Sequence, residues 1–161
     1  MTIEHQSKRS VLIIDPQPNM AMLVATMLRG IGRWEVTEAN DAKHALMDVS
    51  KRAFGIIIVD DGITSPDAVA LFRQIRTNKN GHNQLTPIIM RAAAPDAPRI
   101  AAARDAGVTE FLRKPFAAAH LKSRLDSIAA QPRGFIEAEA YSGPDRRRRT
   151  VDVGEKNRRE Q

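Results

Sequence analysis

The sequence contains no cysteine, which excludes disulfides and cysteine-ligated metals and is compatible with a reducing compartment. No stretch approaches the roughly 18 uncharged apolar residues of a membrane span. The opening MTIEHQSKRS runs into an apolar segment of only four or five residues, too short for the core of a secretion signal. Together these features lead us to expect a cytoplasmic protein with no membrane partner. A glycine-rich phosphate loop is also missing, so a nucleotide or flavin site has little support. The histidines, His5, His44, His82 and His120, are scattered without metal-ligand spacing and read as surface residues. Trp34 and Phe54 flank strand-like runs and read as packing residues.

Length and charge bound the rest. A chain of 161 residues accommodates one domain with a real core plus an extension. The net charge of +6 is spread along the chain: eight basic against six acidic groups after position 130, and 17 against 13 before it. The dense block is Arg146, Arg147, Arg148 and Arg149. So even a spread favours acidic partners only weakly.

Strand and helix signals alternate five times. Residues 11–15 read VLIID; apolar residues then recur at Met20, Leu23, Val24, Met27, Leu28 and Ile31, one face of a helix, which Gly30 and Gly32 close. Residues 34–37 form a short strand, and Asn40 or Asp41 caps a helix with Ala42, Ala45, Leu46 and Val49 inward. The third strand, 56–60, leads through Gly62 to Ser65 and Pro66, read as cap and first-turn residue of a helix burying Ala68, Leu71, Phe72 and Ile75. Strand 87–90, an alanine-rich helix over about 96–106, strand 111–113 and a helix over 117–129 complete the series. Five βα units with short connections predict an α/β fold: a doubly wound, five-stranded parallel sheet of order 2-1-3-4-5. Right-handed crossovers place the first and fifth helices on one face and the other three opposite.

Three of these apolar runs end on a charge: VLIID at Asp15, GIIIVD at Asp60 and EFLRKP at Lys114. Runs of four to six apolar residues suit strands buried on both faces. Their terminal charges then meet at the carboxyl edge of the sheet, where ligands of open α/β sheets bind. Two acids and a lysine gathered there suit a divalent cation and a phosphoryl group, because phosphoryl transfer to a carboxylate is mostly a matter of neutralising charge.

This constellation resembles the receiver domain of bacterial two-component response regulators over roughly residues 8–130, and implies the flavodoxin-like receiver fold. The resemblance implies Asp60 as phosphoacceptor, Lys114 as its cationic contact behind a cis Lys114–Pro115 bond, and Asp15, Asp60 and the Gly62 carbonyl as Mg²⁺ ligands. It implies a non-enzymatic signalling protein in a phosphorelay, loaded by a histidine kinase or phosphotransfer protein and passing the signal to a downstream protein. The usual contact surface, helix four, strand five and helix five, would here include Arg99, Arg104, Phe111, Arg113, His120 and Lys122.

Four positions depart from the family pattern. Pro16 stands where a second acid usually follows Asp15, so Mg²⁺ binding should be weak. Ala92, within RAAAP, replaces the hydroxyl residue after strand four that contacts the phosphoryl group and draws the strand-five aromatic, here Phe111, inward. Thr64 and Ala68 replace a common proline and glycine and are tolerable. Asp61 is no substitute acid, since strand alternation points it away from Asp60.

Residues 131–161 form a polar extension, too short for an output domain and expected to be largely disordered. Phe135, Ile136 and Tyr141 are its candidate docking anchors. Nucleic acid is the less favoured partner of the Arg146–Arg149 block, because Asp145, Asp152 and Glu155 flank it. Two alternatives to the phosphoaccepting reading are a receiver that binds partners regardless of phosphorylation and a nucleic-acid-associated protein using that block.

Overall fold

The computed structural model describes residues 9–130, 135–138 and 141–144. Ten elements alternate through the main body: β1 (Ser10–Ile14), α1 (Pro18–Ile31), β2 (Glu35–Ala39), α2 (Ala42–Lys51), β3 (Ile56–Asp60), α3 (Ala68–Thr77), β4 (Ile88–Ala92), α4 (Ala97–Asp105), β5 (Glu110–Arg113) and α5 (Ala118–Ala130). The five strands are parallel in the order β2-β1-β3-β4-β5, as the sequence predicts. β1, β3 and β4 are buried throughout, which explains why isoleucine and valine fill both faces instead of alternating with polar residues. β2 lies at the edge and keeps Glu35 and Glu38 in solvent.

Side-chain alternation divides the core in two. Val11, Ile13, Ile56, Ile58 and Ile89 pack with Ala21, Val24 and Leu28 of α1 and Leu121 of α5. Leu12, Ile14, Ile57, Val59, Ile88 and Met90 pack on the opposite face with α2, α3 and Ala103 of α4. Because Asp60 follows Ile56 and Ile58 in the period-two pattern, it ends β3 on the α1/α5 face, whereas Asp61 belongs to the other.

Three helices carry the same capping device. Asp41, Asp67 and Asp96 each accept a hydrogen bond from the backbone N–H three residues on, at His44, Ala70 and Arg99. Such a cap satisfies an otherwise orphaned donor. Asp67 therefore corrects the assignment of Ser65 and Pro66 as cap and first-turn residue: α3 starts later, after a cis Ser65–Pro66 bond in which Ser65 has φ 58°. In α1 the buried stripe runs through Ala21, Val24, Ala25 and Leu28. The small alanines let the helix sit close to the sheet, so predicted inward residue Leu23 turns out 47% exposed. Gly30 lies inside α1, and Gly32 is its C-cap.

Two buried polar side chains fasten the loops at the amino edge. Asn83 bonds the carbonyls of Val49 and Arg52 and accepts from Phe54 N–H. Arg76, fully buried, donates to the carbonyls of Gly107, Gln84 and Thr86. Gly107 has φ 105° and a Cβ there would stand 2.6 Å from Arg76 Cγ, so no larger residue fits.

Within the extension, β6 (Phe135–Ala138) and β7 (Tyr141–Pro144) pair antiparallel, and β7 lies against α3. For these two strands the expected lack of structure is corrected. Arg146–Arg149 lie outside the described residues.

Candidate phosphoacceptor site

The carboxyl edge brings together the three strand-end charges. Asp15 is fixed first by its backbone: its N–H bonds the Ala39 carbonyl at 3.0 Å, and Asn40 Nδ2 donates to its carbonyl at 3.0 Å. Its Oδ1 accepts from Gln17 N–H at 2.8 Å. Asp60 is only 5% exposed, and its Oδ2 accepts from Gly62 N–H at 2.8 Å. A Cβ on Gly62 would lie 2.8 Å from that same oxygen, so a larger residue here would have to shift the Asp60 carboxylate. Lys114 N–H bonds the Ala92 carbonyl at 2.9 Å, tying the end of β5 to β4. Its Nζ makes an ion pair with Asp60 Oδ1, behind the cis Lys114–Pro115 bond that the family resemblance implies.

A fourth charged residue joins them. Arg91 lies in β4 directly beside Asp60 in register and is 1% exposed. Its Nη1 stands 2.5 Å from Asp15 Oδ2 and 3.6 Å from Asp60 Oδ1. Its guanidinium carbon lies 5.4 Å from the centroid of the Phe116 ring, within cation–π range. Among the described residues, Arg91 Nε and Nη2 have no hydrogen-bond partner. Asp60 Oδ1 accepts no well-directed hydrogen bond either, although two cations face it.

This donor set does not fit a resident divalent cation. Mg²⁺ needs oxygen ligands with free lone pairs in near-octahedral order. Here Asp15 is bound to Arg91, Asp60 faces both Arg91 and Lys114, and Pro16 contributes no carboxylate. Two carboxylates against two cations leave the cluster formally neutral. Among the described residues there is no group of three or more His, Cys, Asp or Glu side chains able to hold a metal.

The far side of the same edge is arranged differently. Asp61 points away from Asp60, as alternation requires, and pairs with Arg99, whose Nε donates to it at 2.9 Å. Arg99 Nη1 also reaches Asp67 Oδ2 at 3.3 Å. The Ala70 backbone N–H, with smaller help from Arg99, holds the Asp67 carboxyl below its ordinary value, while Asp61 is the main cause that raises Arg99. Ala92 is buried and offers no hydroxyl. Phe111 beside it is half-buried against the core, with Arg104 over its ring at 5.6 Å and Arg124 Nε donating to its carbonyl at 2.8 Å. These groups line an open cleft of about 300 Å³ that Arg113 also borders.

Of the candidate partner-surface residues, Arg104, Arg113, His120 and Lys122 are exposed. His120 Nδ1 accepts from Ala117 N–H, and Lys122 pairs with Asp126. Arg99 is turned inward onto Asp61 and Asp67. Sequence reasoning passed over Arg91 and Arg124. A signal for Arg91 was present: a charge directly after the apolar run PIIM, one residue past the strand read as 87–90, which the sheet order places in the interior. Such a residue is buried only with a partner.

The response regulator receiver domain profile matches residues 11–126. The chain is 31% identical over 118 residues to the chemotaxis protein CheY-3 of Vibrio cholerae, covering 73% of this chain and 89% of that protein. The solved CheY4 of Vibrio cholerae superposes with a TM-score of 0.67 at 26% identity, covering 73% of this chain and 95% of the other. The receiver domain of a Pseudomonas aeruginosa sensor histidine kinase, solved with a magnesium ion coordinated in its active-site cleft, gives 0.68 at 24% identity over 76% and 98% of the two chains. Among the described residues no helix is long and apolar enough to cross a membrane. With its sheet order, its strand-end charges and these matches in agreement, the chain belongs to the response regulator receiver domain family, whose members are signalling proteins.

Proposed function

We propose that Asp60 accepts a phosphoryl group from a histidine kinase or phosphotransfer protein, and that the signal passes on through the α4–β5–α5 surface to a downstream protein. The supporting observation is the setting of Asp60. One oxygen is fixed by Gly62 N–H, and the other faces the Lys114 ammonium at the sheet edge. A fixed carboxylate beside a permanent cation is suited to in-line attack on an anionic phosphorus, where stabilising developing charge is the main task. The phosphoryl group ends on the protein itself, so no turnover of a substrate is involved. The cytoplasm, where kinases hold their phosphodonors, is the proposed compartment.

Binding of Mg²⁺ is weak in this reading, because the cation must displace Arg91 from Asp15 as well as do without an acid at Pro16. Output is weakly coupled to phosphorylation, because Ala92 gives Phe111 no hydroxyl to follow. Arg104, Phe111 and Arg113, with Arg124 added, form the proposed partner surface; His120 and Lys122 extend it. Arg99 is held by Asp61 and Asp67 and contributes less. The family match favours this phosphoaccepting role over a phosphorylation-independent module and over a nucleic-acid-associated protein using Arg146–Arg149.

Incubation with acetyl phosphate followed by intact-mass measurement tests the assignment. One added phosphoryl group is expected in the wild type and none in Asp60→Asn. Modification that survives in Asp60→Asn overturns the assignment.

A further inference from the structure

We propose that Arg91 is the resident counter-cation of this site, neutralising the phosphoryl group on Asp60 so that loading needs no divalent metal. This rests on Asp60 being the phosphoacceptor. Four observations carry it. The Arg91 guanidinium sits between Asp15 and Asp60, 2.5 Å and 3.6 Å from their oxygens. It is held there by burial and by the Phe116 ring, so its position does not depend on a ligand. The two carboxylates are balanced by Arg91 and Lys114, which leaves no excess negative charge to attract a dication. Finally, Arg91 Nε and Nη2 are buried donors without partners among the described residues. Buried donors are rarely left so, and a planar guanidinium matches phosphoryl oxygens well.

Chemically, an Asp60 carboxylate oxygen forms a bond to the phosphorus of the donor. The bond from phosphorus to the donor's leaving group breaks, and the electron pair departs with that group, as acetate when acetyl phosphate is used. No proton is needed. The equatorial oxygens gather negative charge during the transfer, and Arg91 and Lys114 face it from two sides. In the same strand, Ala92 lacks a hydroxyl; the free N–H groups of Arg91 offer replacement donors from the neighbouring residue.

Two measurements on the full chain test this. In the first, Mn²⁺ is titrated into isotopically labelled protein, and paramagnetic broadening of the Asp15, Gln17, Asp61 and Gly62 amide signals is followed. Arg91→Met should show broadening at a Mn²⁺ concentration at least about tenfold lower than the wild type, because its carboxylates are released. Equal sensitivity in the two proteins overturns the proposal. If Arg91→Met does not fold, selective broadening of these signals in the wild type at sub-millimolar Mn²⁺ overturns it instead. In the second, acetyl phosphate loading is followed by intact mass in EDTA and in Mg²⁺. Wild-type rates should agree within about twofold, since the cation is built in. Loading of the wild type that EDTA abolishes, or loading confined to Arg91→Met with Mg²⁺, overturns the proposal. Absence of loading in both proteins under both conditions overturns the phosphoacceptor assignment and with it the phosphoryl role of Arg91. The Mn²⁺ titration still decides whether Arg91 holds the cation's place.

Discussion

Asp60 and Asp61 are neighbours in the chain, yet they face opposite sides of one sheet, and each meets an arginine. The Asp60 side holds a closed pair: Arg91 and Asp15 are 1% and 2% exposed, fixed by aromatic and backbone contacts, with Lys114 at the rim 31% exposed. The Asp61 side is open: Arg99 and Asp61 are 27% and 29% exposed. The same pair of residue types therefore has two different consequences. Where water is excluded, every charge must be matched, and removing one leaves the others uncompensated. Where water has access, it screens the pair and takes over when one partner is removed. Burial turns one arginine into part of a site and leaves the other as a brace for the start of α3.

The largest effect is expected on the closed side. Arg91→Met should destabilise the fold by about 3–5 kcal/mol, the usual cost of breaking a buried pair, measured by urea denaturation. Added Mg²⁺ should recover part of this in the variant and little in the wild type, because a ligand stabilises only the state that binds it. A loss below about 1 kcal/mol would show that the closed pair behaves like the open one and would erase the contrast.

Next comes the rim between the two sides. Ala92→Thr restores a hydroxyl beside Phe111, and a hydrogen bond to a charged group contributes about 1.5–3 kcal/mol. Beryllofluoride, a phosphoryl mimic, should bind this variant about tenfold or more tightly than the wild type. The Phe111 ring signals should then respond to the mimic, and partner affinity should depend on it more strongly. Unchanged mimic affinity would mean that Arg91 already supplies every contact available.

The open side should respond least. Asp67→Ala should cost about 1 kcal/mol, mostly through the lost cap of α3. The Asp67 carboxyl is held below its ordinary value of 3.8, so its stabilisation is complete above that value. It is lost as pH falls through the lower value of the folded state. The gap between wild type and Asp67→Ala in thermal unfolding should therefore be constant near neutrality and close in strong acid; a gap that widens in acid would contradict the assigned cause. Arg99→Ala should cost less than about 1 kcal/mol, and added salt should shrink the loss further.

How much of this could be read from the chain differs by element. The alternating strand and helix runs and the terminal charges of β1, β3 and β5 are local patterns, so sheet order and the positions of Asp15, Asp60 and Lys114 followed from them. The placing of Asp61 followed from period-two alternation. The first turn of α3 did not: Ser65-Pro66 carries a familiar cap signal, but the turn that follows β3 displaced the cap to Asp67. Leu23 was misplaced because an amphipathic stripe can be drawn through either the bulky residues or the alanines of α1. Only close approach to the sheet selects the alanines. The extension was read as polar and largely without structure, and pairing of β6 with β7 is a tertiary outcome of two segments that are marginal alone.

The sequence by itself determined the sheet, its order and which edge carries the acids, because those depend on hydrophobic period and on strand ends. Tertiary structure decided the character of the site. Arg91 and Asp15 are 76 residues apart, one in β4 and the other just past the end of β1, with β3 between those strands. Adjacent strands lie about 4.8 Å apart, so the link must cross two strand spacings, which the length of an arginine allows. No local pattern encodes that reach. It exists only once the sheet has brought the two strand ends to the same side, closed Phe116 over them and shut out the water that would otherwise have solvated both charges.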